Sequence, residues 1–314
     1  MSLPDLVEAY IAYKHSLGMR FRSQAPVLRA YCRAMGDVAV EEVKPERVLA
    51  FITGTGPVTA RWMECYRVLR GFYRYAIGRD FATTSPLPTD IPKLPPPLTP
   101  YIYSADELKR LLLATDTLQT PLSPLRAMTM RSLLLLLYGT GMRIGEALSL
   151  TLQDVDLEDR LLTVRDTKFY KTRLVPIGPR LTMALADYLS HRRRLPLPEG
   201  EASSFLAACT GIRLDYKRVN KLFCRLRDAA QVRREVSARY PPRIHDIRHT
   251  AALHRLIAWY RAGADVQRLL PQLATYLGHV DLASTQHYLS MTAELLQEAS
   301  LRFERYAQPE ARHA

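Results

Sequence analysis

Seven of the residues between 82 and 100, ATTSPLPTDIPKLPPPLTP, are proline. The proline ring fixes φ and removes the backbone donor, so this stretch can be neither a helix nor a central strand. It reads as an extended, semi-rigid linker, and it divides the chain of 314 residues into segments 1–98 and 99–314. The length agrees, since domains commonly run to about 100–200 residues. Hydrophobic residues at 47% and charged residues at 24% describe a chain that forms cores. They exclude a disordered polymer, a collagen-like fibre and a small disulfide scaffold.

Segment 1–98 reads as helical. Leu6, Tyr10, Tyr13 and Leu17 follow helical spacing up to Gly18, and Val27, Tyr31 and Met35 continue it up to Gly36. Val48–Ile52 and Ala60–Ile77 add two more helices, giving a bundle in which Tyr66, Phe72, Tyr73 and Tyr75 are expected in the core. Beyond the prolines, Ser104-Ala105-Asp106-Glu107 matches a capping box opening a helix through Leu113. Helices over Arg131–Tyr138 and Arg143–Leu150 are expected to be broken by Gly139-Thr140-Gly141. Leu161–Val164 and Thr172–Ile177 read as a hairpin. Helices resume near Leu181, with later ones over Asp246–Tyr260, Val266–Leu277 and Ala293–Tyr306. The expected fold class is mainly α with a small antiparallel β-sheet.

Lys and Arg number 44 against 31 acids, a formal charge of +13. An excess this large points to a polyanionic partner, nucleic acid before an anionic membrane surface. Only 8 of the 44 are Lys, so an isolated Lys is conspicuous. The four cysteines, Cys32, Cys65, Cys209 and Cys224, form no C-x-x-C pair, and no metal site is expected. The longest apolar run, Leu133–Tyr138, is far below the roughly 20 residues of a membrane span. With no signal peptide at the N-terminus, the expected location is the cytoplasm.

Four features follow one another in segment 99–314: Gly139-Thr140-Gly141-Met142-Arg143-Ile144-Gly145-Glu146-Ala147-Leu148-Ser149-Leu150; Lys168 at the end of the first hairpin strand; His245-Asp246-Ile247-Arg248-His249; and Leu277-Gly278-His279, with Tyr288 nine residues on. Guanidinium groups fork onto phosphate oxygens, and two of them would clamp a phosphodiester as charge builds in the transition state. A Tyr hydroxyl can attack phosphorus and form an ester, and a Lys ammonium can protonate the departing sugar oxygen. The acidic pairs that hold Mg²⁺ in two-metal nucleases are not evident. The set favours metal-free phosphoryl transfer through a phosphotyrosine.

These boxes resemble the catalytic domain of the tyrosine recombinases, the integrase family of the phage integrases and Xer proteins. The G-T-G-x-R-x-x-E-x-L-x-L, H-x-x-R-H-T and L-G-H…Y boxes stand in the family's order over about residues 100–290. The helical N-terminal segment resembles the family's core-binding domain by length and position. The resemblance implies a core-binding, DNA-binding bundle at 1–98 and a mixed α+β catalytic domain at 99–314. It assigns Arg143, Lys168, His245, Arg248, His279 and the nucleophile Tyr288 to catalysis, with Glu146 supporting the arginines and no cofactor. It implies double-stranded DNA at specific recombination sites as partner, a tetrameric synapse, and a nucleoid-associated bacterial protein.

The sequence departs from the family at the hairpin, where Thr167 and Phe169 replace flanking glycines, leaving Lys171 as an alternative to Lys168. The stretch between Arg248 and His279 reads as longer than usual, with residues 259–268 carrying the excess; the sequence assigns this excess no role, and a plain surface insertion is the default. Tyr276, the rival nucleophile, falls inside an apolar helix and reads as core. Asp246 reads as a helix cap, and His249, Thr250 and His254 as structural polar groups. Ser290-Met291-Thr292 can cap a terminal helix that packs on its own domain or on a neighbouring subunit. The alternative functions are a non-catalytic DNA-binding protein and a type IB topoisomerase.

Overall fold

The computed structural model describes residues 1–96, 98–165, 172–234, 240–278, 285, 288 and 295–301. The chain divides into two compact units, residues 1–98 and 99–314. The fold class is mainly α with one small antiparallel sheet, as the sequence indicates.

The first unit contains α1 (Leu3–Ser16), α2 (Gln24–Met35), α3 (Pro45–Thr53) and α4 (Ala60–Ile77). The Ser2 side chain caps α1 by accepting from the Asp5 amide, with Pro4 in the first turn. The core collects Leu6 and Tyr10 of α1, Leu28 and Tyr31 of α2, Val48 of α3, and Leu69, Phe72 and Tyr73 of α4. The Tyr31 and Tyr73 hydroxyls meet at 2.6 Å inside it, which satisfies both phenols without water. Phe72 and Tyr73 are buried, whereas Tyr66 and Tyr75 pack half-buried at the margin. The opposite face of α4 presents Arg67, Arg70 and Arg74 to solvent at helical spacing.

The second unit opens with α5 (Ala105–Ala114), whose capping box forms as expected: Ser104 Oγ accepts from the Glu107 amide at 3.1 Å and Glu107 accepts from the Ser104 amide at 2.8 Å. Then come α6 (Arg126–Thr140), α7 (Ile144–Ala147), β1 (Val155–Asp156), β2 (Leu161–Val164), β3 (Arg173–Pro176), α8 (Pro179–Arg192), α9 (Tyr216–Ala229), α10 (Asp246–Arg261) and α11 (Val266–Leu277). The sheet runs β1-β2-β3, with Val155 opposite Leu162 and Val164 opposite Arg173. Leu162, Val164 and Val175 point inward at alternate positions. Helix α6 is buried nearly all round and packs against α8 and α10, so it is the central helix of this unit. Among the described residues no helix is long and apolar enough to cross a membrane.

Two expectations need correction. The helix expected to stop before Gly139 runs on to Thr140, whose hydroxyl donates back to the Leu136 carbonyl; only Gly141, at φ +62°, leaves the helical region. The helix expected over 143–150 shrinks to Ile144–Ala147, because the chain is drawn off to bond with residues 203–205. Phe205 N donates to the Leu150 carbonyl and Leu152 N to the Ser203 carbonyl. Residues 259–268 form the end of α10, a turn at Gly263 and the start of α11, with Val266 buried and most of the others at the surface. Strand β1 gave no sequence signal at two residues. Residues 295–301 are helical, with Leu295 buried in the core that α10 and α11 share with Tyr288. The 290–292 cap lies outside the described residues.

The chain is pinned as it enters this unit. The Tyr103 amide donates to Thr250 Oγ1 at 3.0 Å, Thr250 Oγ1 donates to the Asp246 carbonyl, and the Tyr103 hydroxyl donates to the Arg243 carbonyl at 2.9 Å. Thr250 is thus structural.

A Cβ on Gly141 would stand 2.5 Å from Leu277 Cδ2, in a backbone conformation that L residues avoid. Gly141→Ala is expected to destabilise the unit by about 2–4 kcal/mol in urea unfolding. Gly145→Ala, with nothing near its added carbon, is expected to leave the midpoint unchanged or raise it.

Candidate active site

The end of α11 organises the site. A helix leaves its last carbonyls without intrahelical donors and carries partial negative charge there. Here three arginines from three different elements take those oxygens. Arg173 Nε donates to the Tyr276 carbonyl at 3.3 Å, Arg248 Nη2 to Leu277 at 2.8 Å, and Arg143 Nη1 and Nη2 to Gly278 at 3.2 Å each. Gly278 ends the helix in the left-handed region at φ +70°, and a Cβ there would collide with the Arg173 guanidinium at 2.7 Å. The glycine of the L-G-H box is therefore required by both backbone and packing.

Arg143 stands just ahead of α7, where the chain leaves Gly141. Its amide donates to Glu146 Oε2 at 2.9 Å and its Nη1 to Glu146 Oε1 at 3.0 Å. The same carboxylate accepts Arg173 Nη1 at 3.2 Å and Nη2 at 2.8 Å. Burial alone would raise the Glu146 carboxyl. The Arg173 hydrogen bond, and then the charges of Arg173 and Arg143, outweigh it and hold the group below the ordinary carboxylate range. Arg143 is 36% exposed, Arg173 only 12% and Glu146 9%, so Arg143 is the member of this trio that faces outward.

Arg248 comes from the first turn of α10 and is 3% exposed. Its Nη1 donates to the Gly141 carbonyl at 2.7 Å, which ties α10 to the end of α6. Burial, followed by the charge of Arg143, lowers the guanidinium to about 10. Tyr288 is 2% exposed and lies within electrostatic reach of Arg248 and Arg143. Burial pushes its phenol up, and the charge of Arg248, then that of Arg143, pulls it partly back. Tyr276 is half-buried in α11, and its hydroxyl donates to the Pro176 carbonyl at 3.1 Å, a structural role.

His245 precedes α10. Burial first, then the charges of Arg248 and Arg243, hold its imidazole below the ordinary value, and so neutral at pH 7. Its ring lies edge-on to His249 with centroids 5.2 Å apart, and His249 in turn meets the Tyr288 ring at 5.6 Å. His249 is lowered to about 4 by burial and by His245. Among the described residues its buried Nδ1 has no hydrogen-bond partner. Asp246 binds back to Arg243, accepting from its amide at 2.9 Å and from Nη2 at 2.6 Å, which fixes the turn ahead of α10.

The structure therefore brings Arg143, Glu146, His245, Arg248 and Tyr288 into one cluster. Lys168, Lys171 and His279 lie outside the described residues. One member has no role in the sequence reading, Arg173, signalled only by the R-L-V-P that follows the hairpin lysines; another, His249, read there as a structural polar group, packs its ring on Tyr288. Among the described residues no group of three or more His, Cys, Asp or Glu side chains is placed to hold a metal ion.

An arginine cradle on a helix end, with a buried phenol beside it, on a mainly helical domain with a three-stranded sheet, marks the class. The chain belongs to the phage integrase family, whose model matches residues 102–294, and it is a tyrosine recombinase. It is 34% identical to a Sinorhizobium fredii protein that carries the name integrase/recombinase y4rB, over 304 residues covering 95% of this chain and 96% of that one. It is 33% identical to tyrosine recombinase XerC of Pelotomaculum thermopropionicum over 234 residues, 73% of this chain and 70% of that one. Among solved structures, the Tn1549 transposon integrase in complex with transposon right end DNA aligns at TM-score 0.70 and 17% identity, covering 98% of this chain and 100% of that one. A lambda integrase dimer bound to a core site aligns at TM-score 0.68 and 18% identity, covering 93% and 97%.

Because the folded unit resists protonating His249 and the unfolded chain does not, linkage costs stability in acid. With the folded value near 4 and the free value near 6.5, that stability is complete above about pH 6.5 and is lost as pH falls towards 4. Urea midpoints measured from pH 7 to 4.5 are expected to fall, and His249→Gln to flatten the decline.

Proposed function

We propose that this recombinase cleaves and rejoins DNA strands at specific sites through a covalent 3′-phosphotyrosine on Tyr288, without a metal ion. The observation that carries the reading is that the buried Tyr288 phenol lies where the charges of both Arg248 and Arg143 act on it, with the His249 ring against its own. A nucleophile held against two guanidinium groups is held where a phosphodiester would bind.

In this reading Arg143 and Arg248 grip the non-bridging oxygens of the scissile phosphate and gain strength as the pentacoordinate transition state accumulates charge. The Tyr288 oxygen attacks phosphorus. The P–O bond to the 5′ sugar oxygen breaks, and the 3′ phosphate becomes esterified to the phenol. His245, neutral at pH 7, accepts the phenolic proton, and Lys168 gives a proton to the departing 5′ oxygen. His279 joins the phosphate grip as a hydrogen-bond donor. Attack by a 5′ hydroxyl from another strand reverses the step and completes exchange.

The partner is duplex DNA, with exchange carried out by four subunits on two sites. The +13 formal charge supports this, as do two structures of similar fold, a lambda integrase dimer bound to a core site and a lambda integrase tetramer bound to a Holliday junction. Residues 1–98 act as the core-binding domain, and residues 99–314 as the catalytic one. In the former, Arg67, Arg70 and Arg74 on the exposed face of α4 supply phosphate contacts. The protein works in the cytoplasm on nucleoid DNA.

A binding site is selected from a randomised duplex pool with the wild-type protein and then nicked next to the scissile phosphate, so that the cleaved end is lost. Wild type is expected to accumulate a protein–DNA adduct on denaturing gels, in excess EDTA as well as without it. Tyr288→Phe is expected to bind the duplex with unchanged affinity and form no adduct. A persistent adduct in that variant, or full loss of wild-type activity in EDTA, would sink the assignment. Replacing Arg67, Arg70 and Arg74 by Ala together is expected to weaken binding to all sequences alike and to reduce the salt slope of log K by about 2–3.

A further inference from the structure

Arg173 takes no part in the steps above, yet it is one of the most fully engaged charges of the site. It stands at the start of β3, which pairs with β2 across the segment that carries Lys168. Its guanidinium forks onto both oxygens of Glu146, at 3.2 and 2.8 Å, while Nε donates to the Tyr276 carbonyl at 3.3 Å. Its guanidinium also packs on Gly278, where an added methyl would stand 2.7 Å from Nη1. These contacts join three segments that are far apart in sequence: the turn holding Arg143, the return strand of the hairpin, and the end of α11 that leads into His279.

Arg173 is also shielded where Arg143 is open, so it is not placed to meet a phosphate. What it meets is the carboxylate that holds Arg143. Glu146 binds the Arg143 guanidinium and its amide on one side and the fork of Arg173 on the other. Without Arg173, a 9% exposed carboxylate would have Arg143 as its one remaining cation. It would draw that guanidinium inward, away from the Gly278 carbonyl and from the direction of the substrate. A lysine could restore the charge but could not span both oxygens and the Tyr276 carbonyl at once.

We infer that Arg173 is a positioning residue for phosphoryl transfer: by gripping Glu146 and the Tyr276–Gly278 turn, it sets the orientation in which Arg143 meets the scissile phosphate. The inference rests on the reading of Arg143 as a phosphate clamp. It identifies the arginine of the R-L-V-P stretch as part of the machinery without making it a contact to DNA.

The test uses the full-length protein and the nicked duplex described above, in single-turnover cleavage at saturating protein. Arg173→Met is expected to bind the duplex within about threefold of wild type and to cleave about 100-fold more slowly, the scale of a displacement of about 1 Å in a catalytic group. Arg173→Lys is expected to recover less than half of that loss on a logarithmic scale, and it carries the comparison if circular dichroism shows that the Met variant does not fold. The decisive readout is a duplex whose scissile phosphate is a methylphosphonate, which lacks the negative charge that Arg143 offsets. On it, Arg143→Ala and the Arg173 variant are both expected to lose less than about tenfold against wild type. The double variant Glu146→Gln with Arg173→Met is expected to be no slower than the slower single one. Cleavage of the phosphate duplex at the wild-type rate overturns the inference, as does an equal loss on both duplexes, which is the mark of a merely structural prop. A wild-type protein that forms no adduct overturns the parent reading and this one with it. A wild-type adduct beside unimpaired Arg173 variants overturns this one alone.

Discussion

Three guanidinium groups gathered on the last carbonyls of one helix hold the second unit's candidate site together. Burying an arginine is costly unless its donors find acceptors. Arg248 meets that cost with backbone oxygens from the ends of two helices, Gly141 after α6 and Leu277 in α11. These oxygens are unclaimed by intrahelical bonds and lie at the negative end of each helix. The same bonds that solvate the arginine also fix the crossing of α6, α10 and α11. The cationic pocket and the packing of the unit are thus one arrangement, and Gly141 and Gly278, both with positive φ, let the two helix ends approach it.

A single carboxylate, Glu146, serves two of these cations at once. The division of labour follows from exposure: one guanidinium faces outward and one is shut away, and the carboxylate between them transmits the position of the second to the first. Arg248, by contrast, has no acid partner among the described residues; its company is carbonyls and the Tyr288 phenol. Among the described residues, the positive charge left over after Glu146 is counted stands beside the Tyr288 phenol.

Much of this was legible in the sequence, because the residues that carry chemistry are few, polar and set in ordered boxes. Arg143, Glu146, His245, Arg248 and Tyr288 could be named before any coordinates. The proline run marked the boundary between the units, and the Ser104–Glu107 box marked the start of α5. The misses share a cause. The early end of α7 depends on residues 203–205, about fifty positions away, drawing the chain into pairing. Gly139 looks like a breaker but packs inside α6 against Leu181. Arg173 is one arginine among many until the fold brings Glu146 and Tyr276 to it. Local propensity records what a residue prefers; these outcomes depend on what meets it from elsewhere in the chain.

The hydrogen bonds from Tyr103 to Thr250, and from Thr250 to Asp246, have a mechanical consequence. Thr250 lies two residues beyond Arg248 on the same helix, and Tyr103 is among the first residues after the proline-rich stretch. The point at which the chain enters the second unit is thereby fastened to the helical turn that presents the buried guanidinium, so the two hold one spacing.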